Sequence, residues 1–176
     1  MPARAGTIAL AARSITIFNR KEFHMAGNDH DISTLNSLIA TTLDSAEGYR
    51  EASKDIEGGR LGALFVDRAN ERTQVAATLQ AEVRRLGGSP SEGGTLLGGA
   101  HRMFVNLKAA VTGQDKQAIV NEVERGEDHI KAKYEGALKD DALSAPVRAA
   151  IEAGYGSVRE GHDQMRDLKH SLEAAS

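Results

Sequence analysis

The 176-residue chain has no cysteine and no tryptophan. Without cysteine there is no disulfide framework, no thiol nucleophile and no zinc site built on thiolates. A reducing cytoplasm is then the default expectation for its location. Aromatic residues make up only 4 % of the chain, so the core must be built from Ala, Leu, Val and Ile, which let helix backbones approach closely. Long apolar runs are also missing: none reaches the ~20 residues of a membrane span, and no membrane partner is expected. What is present, 40 % apolar and 27 % charged residues, is ordinary for one folded domain with a sizeable core. The net charge of −3 is unevenly spread, with +3 over residues 1–24 and −6 over the rest. An acidic body lacks the basic surface that phosphate backbones require, so no nucleic acid is expected.

Residues 1–24 are basic and mildly apolar, through Ile8, Leu10, Ile15, Ile17 and Phe18. A targeting peptide would have this composition, but the apolar stretch is short and no cleavage site follows it. Met25 offers a second start. Residues 1–30 are therefore expected to be a disordered or extraneous extension, and residues 31–173 the folded unit.

From Asp31 onward the apolar spacing is helical. Segment 31–57 places Ile32, Leu35, Leu38, Ile39, Thr42, Ala46, Tyr49 and Ile56 on one face, with Asp31 or Ser33 as N-cap and Gly58-Gly59 as stop. Segment 61–86 carries Leu61, Leu64, Phe65, Arg68, Val75, Ala76, Leu79, Val83 and Leu86, and ends at Gly87-Gly88-Ser89-Pro90. A short helix is expected over 95–111. Asp115 is expected to cap a helix to about 138, and Ser144 one that starts with Pro146 in its first turn. Four long segments would each span about 35–43 Å. The short connections predict two antiparallel hairpins, and the long 87–114 connection a crossover. The fold class is all-α, a ferritin-like antiparallel four-helix bundle with an extra helix in the crossover.

Several polar residues interrupt the inner faces. Glu71 lies beside Arg68 and Val75, Glu127 beside Val123 and Ile130, His162 beside Val158 and Met165, and Glu47 borders Ala46 and Tyr49. Distance from the turns places Glu47 level with Glu71, and His162 near Glu124 and Glu127. Buried charge requires a partner or a metal. Di-iron bundles use Glu residues and Glu-x-x-His on facing helices. Here Glu71-x-x-Gln74 and Glu160-x-x-Asp163 stand where that pattern would have His. The candidate metal ligands are Glu47, Glu71, Glu124, Glu127 and His162, for iron or manganese. The competing reading is a salt-bridge network in which Arg68 or Arg72 neutralises Glu71. Glycines flank these residues in Glu47-Gly48, Gly126-Glu127 and Gly161-His162, which suggests close helix approach or room for polar groups. Gly93-Gly94-Thr95-Leu96-Leu97-Gly98-Gly99 lacks the Lys-Ser/Thr of a phosphate-binding loop, and His24 and His30 fall in the expected tail.

Together, Glu47-Gly48-Tyr49, Arg68-Ala69-Asn70-Glu71-Arg72, Leu86-Gly87-Gly88-Ser89-Pro90, His101-Arg102-Met103-Phe104, Glu124-Arg125-Gly126-Glu127-Asp128 and His162-Asp163 resemble a family of small bacterial four-helix-bundle proteins of unknown function, grouped with ferritin-like folds. The resemblance covers residues 31–172. It implies the fold, a bacterial source and self-association into a homo-oligomer, and no established activity. The expectation is a non-enzymatic bundle, linked to stress and acting through self-association or a protein partner, with no cofactor. The alternative is an iron or manganese bundle with redox or peroxide chemistry.

Overall fold

The computed structural model describes residues 6–56, 59–94 and 116–175, with 6–27 and Asp55 described by backbone alone. They form four helices: α1 (Gly6–Asp55), α2 (Arg60–Arg85), α3 (Lys116–Leu138) and α4 (Ala145–Ala174). Among the described residues there is no strand. The expected helix over 95–111 and the expected cap Asp115 lie outside them.

Each helix buries a stripe set by its sequence. In α2 the buried series Phe65, Ala69, Arg72, Ala76, Leu79, Val83 repeats at alternating steps of four and three, a single face of the helix. In α4 the buried Val147, Ile151, Gly154, Val158, Gly161 and Met165 do the same. α1 packs mainly on α2 and α3 mainly on α4; the α1–α3 and α2–α4 seams close the bundle.

The helix ends follow the punctuation in the sequence. Gly87, at φ 82°, adopts the left-handed conformation that glycine allows without strain. The Gly87 and Gly88 amides then donate to the Arg84 and Val83 carbonyls at 3.0 and 2.9 Å, closing the C-terminus of α2. A Cβ on Gly88 would stand 2.8 Å from the Ile32 side chain, so this turn sits directly on α1. The following loop is held by Asn36, which bonds the Ser89 carbonyl and the Ser91 amide at 3.1 and 2.7 Å, and by Gln80 on the Ser91 carbonyl. At the end of α3, Arg148 donates to the Leu138 and Asp140 carbonyls, satisfying orphan acceptors next to the turn.

One helix start differs from the sequence reading. Neither Asp31 nor Ser33 caps α1, because the helix already runs through both. Asp31 is buried, and its Oδ1 accepts the Ser144 amide at 3.1 Å, at the N-cap of α4. Ser144 does occupy that N-cap and Pro146 the first turn, but the Ser144 side chain makes no capping bond. His30, assigned to the tail, bonds Asp140 at 2.7 Å and ties α1 to the α3–α4 turn.

Candidate functional site

The interior is divided by a polar layer. One apolar cluster gathers Leu35, Leu38, Ile39, Leu79, Val83, Ile130, Tyr134, Val147, Ile151 and Val158. The other gathers Tyr49, Ala52, Ile56, Phe65, Ala69, Ile119, Val120, Val123 and Met165. Along every helix the break between them falls at the level of the polar layer: Ser45 on α1, Arg72 on α2, Glu127 on α3 and Gly161 on α4.

At the centre stands an ion pair with almost no solvent contact. Arg72 is fully buried and Glu127 is 1 % exposed. Arg72 Nη2 donates to Glu127 Oε2 at 2.7 Å, and Nη1 donates to Ser157 Oγ at 2.8 Å. Ser45 Oγ lies 3.4 Å from the other carboxylate oxygen. Burial pushes the Glu127 carboxyl above the ordinary carboxylate range, against the pull of the Arg72 charge. Tyr49, tilted against Phe65 with ring centroids 5.7 Å apart, brings its hydroxyl into the same layer. Burial first, and the Glu127 charge second, raise that phenol well above its ordinary value. The Tyr49 hydroxyl faces the Glu127 carboxylate, and that contact favours the protonated phenol.

Gly161 makes the pair possible. A Cβ there would lie 2.3 Å from Arg72 Nη2 and 2.9 Å from Glu127 Oε2, so any larger residue would collide with both charged groups. Gly48, by contrast, faces open space among the described residues. Of the glycines singled out in the sequence, Gly161 has the clear polar-room function.

From the pair a chain of contacts leads outward. Ser157 accepts from Arg72 and donates to Glu71 Oε1; Glu71 Oε2 accepts from Arg68 Nη1 at 2.6 Å. Arg68 then reaches Glu160 at 2.9 Å and Gln164 at 2.8 Å on α4. The sequence candidates are thus dispersed. Glu127 is in the layer with Arg72, and Glu71 sits at its edge with Arg68. Glu47 is half exposed and pairs with Arg50 along its own helix. Glu124 pairs with Lys169. His162 is buried between Asp128 and Asp163, at 3.0 and 3.1 Å. The expected convergence of Glu47, Glu71 and Glu127 does not occur, because Glu47 and Glu71 flank their stripes while Arg72 occupies the centre. Among the described residues no three Asp, Glu or His side chains gather where they could share one metal ion.

The central residue the sequence reading undervalued is Arg72. It sits at the third position of the stripe from Phe65 to Val83, a signal that was legible once hydrophobicity was set aside. Ser45, Ser157 and the Tyr49 hydroxyl carried no comparable signal.

The family model described as "Domain of unknown function (DUF2383)" matches residues 30–140. The chain belongs to this family. Comparison with curated proteins finds no match. The DUF2383 match includes Tyr49, Arg72 and Glu127 but ends before α4, which supplies Ser157 and Gly161 to the same layer. No helix among the described residues is long and apolar enough to cross a membrane.

Proposed function

We propose that this DUF2383 protein is a non-enzymatic, ferritin-like antiparallel bundle of the bacterial cytoplasm that works through self-association or a protein partner. The observation that carries the reading is the Arg72–Glu127 pair: the one fully interior carboxylate among the candidates is already neutralised by a guanidinium. A cation there would meet positive charge before it met a free ligand. The remaining acidic candidates each have a cationic neighbour of their own. This leaves the interior a structural element and assigns function to the outer faces.

The antiparallel part of the reading is supported by the contacts between α3 and α4. As the chain advances along α3 from Glu124 to Glu135, the partners recede along α4 from Lys169 to Tyr155. The test is metal analysis of the purified full chain, combined with light scattering. Less than stoichiometric iron and manganese, and a species larger than one chain at micromolar concentration, are expected. Stoichiometric iron or manganese that disappears in Glu127→Gln would overturn the reading in favour of a metal bundle. A strict monomer would remove self-association from it.

A further inference from the structure

Away from the polar layer, the seam between α1 and α3 opens into a groove of about 410 Å³ near the α3–α4 turn. That volume falls within the roughly 300–1,000 Å³ of small-molecule sites. α1 lines it with Ser33, Thr34 and Ser37, three and four residues apart and so on one helix face. α3 answers with Ala132, Gly136 and Ala137, and these short side chains leave the seam unfilled above Leu38. A Cβ on Gly136 would meet nothing within 4 Å, and Gly136 is not among the positive-φ glycines. Neither crowding nor backbone conformation requires glycine there, although alanine is the better helix former. What the residue leaves is room.

The polar groups of the groove are open to a ligand. The hydroxyls of Ser33, Thr34 and Ser37 make no hydrogen bond among the described residues. Every other helical serine or threonine whose side chain is described makes one, most of them to a carbonyl three or four residues back. Lys133 is exposed and makes no hydrogen bond or ion pair among the described residues. Asp140, the groove's one carboxylate, is engaged on both oxygens, by His30 at 2.7 Å and by the Ala142 amide at 2.9 Å. As α1 advances from His30 to Ser45, its partners on α3 recede from Asp140 to Glu127. Seven residues inward from the His30–Asp140 bond on both helices stand Ser37 and Lys133, level across the groove.

We propose that this groove binds a small organic anion, with its phosphate or carboxylate group between Lys133 and Ser37 and its body along Ser33 and Thr34, over Leu38. The donor set selects the charge: an ammonium and hydroxyls donate to anionic oxygens. A cation would meet Lys133 and find the only lining carboxylate already engaged. The groove is separate from the Arg72–Glu127 layer and from any self-association, so its failure as a site would leave that reading untouched.

The test is an NMR titration of the full chain with phenyl phosphate, benzoate and the neutral phenol. Phenyl phosphate, benzoate or both should shift the Ser37, Lys133 and Gly136 amides and saturate by about 10 mM, while phenol should not. A response to one acid alone supports the site and identifies the head group it takes. Lys133→Gln should weaken binding about tenfold, a loss near 1.4 kcal/mol. Gly136→Leu, which fills the open space, should abolish binding with the thermal midpoint unchanged. Shifts that never saturate, phenol binding as tightly as the acids, or wild-type affinity in Lys133→Gln would each overturn the proposal. Should Gly136→Leu fail to fold, Lys133→Gln, at an exposed position, decides alone.

Discussion

At the scale of single residues, glycine carries more of the design than composition suggests. Gly161→Ala should cost about 2–4 kcal/mol, between an overpacked core and a broken buried ion pair, because its Cβ would displace the Arg72 guanidinium. Gly156→Ala is the control: it lies on α4 with nothing within reach of a Cβ, and should gain up to about 1 kcal/mol from helix propensity. Urea unfolding of both variants checks this, and equal effects would sink the account of Gly161. Tyr134 gives a pH prediction. Burial raises its phenol to about 12, with the hydroxyl bonded to Thr42 at 2.9 Å. An unfolded phenol ionises near pH 10 while the folded one stays protonated. The contribution of Tyr134 is thus fully present below about pH 10 and is lost as pH rises toward 12, at about 1.4 kcal/mol per unit. Tyr134→Phe should lose less stability between pH 9 and 11 than the wild type does; identical losses would refute the assignment. Glu127, His162 and Arg68 were legible in the sequence as polar residues on inner faces. Arg72 is legible in the sequence only as a neutraliser of Glu71, because an apolar stripe is traced through apolar residues and a guanidinium at its centre looks like a gap; in the structure Arg68 pairs with Glu71 and Arg72 with Glu127.

At the scale of helices, the end of α2 and the start of α4 could be read almost to the residue, since Gly87 and Ser144-Ala145-Pro146 mark them chemically. The start of α1 could not. A carboxylate that would cap its own helix serves equally well to cap another, and only the fold brings Asp31 beside Ser144. Asp31→Ala should therefore cost about 1 kcal/mol, in the range of lost caps, and speed amide exchange at Ser144. Ser144→Ala should cost clearly less, because its hydroxyl makes no capping bond. The opposite ranking would show that the cap is misassigned. The helix α4 also bears on where the folding unit ends. The DUF2383 match stops at residue 140, yet Val147, Ile151, Val158 and Met165 are each fully buried in the two clusters. A chain ending at Asp140 should show no cooperative thermal transition by circular dichroism, whereas the full chain should show one.

For the whole molecule, the match to a domain of unknown function and the all-helical architecture agree with what the quoted motifs and the periodicity implied, while neither encodes an activity. The polar layer has one further consequence. A bundle filled with Ala, Leu, Ile and Val can slide: moving one helix by a turn, about 5.4 Å, exchanges one aliphatic contact for another at little cost. Arg72 forbids such a slip. Displaced by a turn along α3, it would leave Glu127 and meet Val123 or Ile130 instead, a buried charge against hydrocarbon. The ion pair thus indexes the alignment of α2 against α3, a specificity role attested for polar core groups in some bundles. Replacing both members together, as Arg72→Met with Glu127→Leu, should leave stability unchanged or raise it. The same double variant should broaden or duplicate NMR resonances from α2 and α3, as several alignments of similar energy come to coexist. A single sharp set of resonances would mean that the shapes of the aliphatic side chains already suffice to fix the alignment.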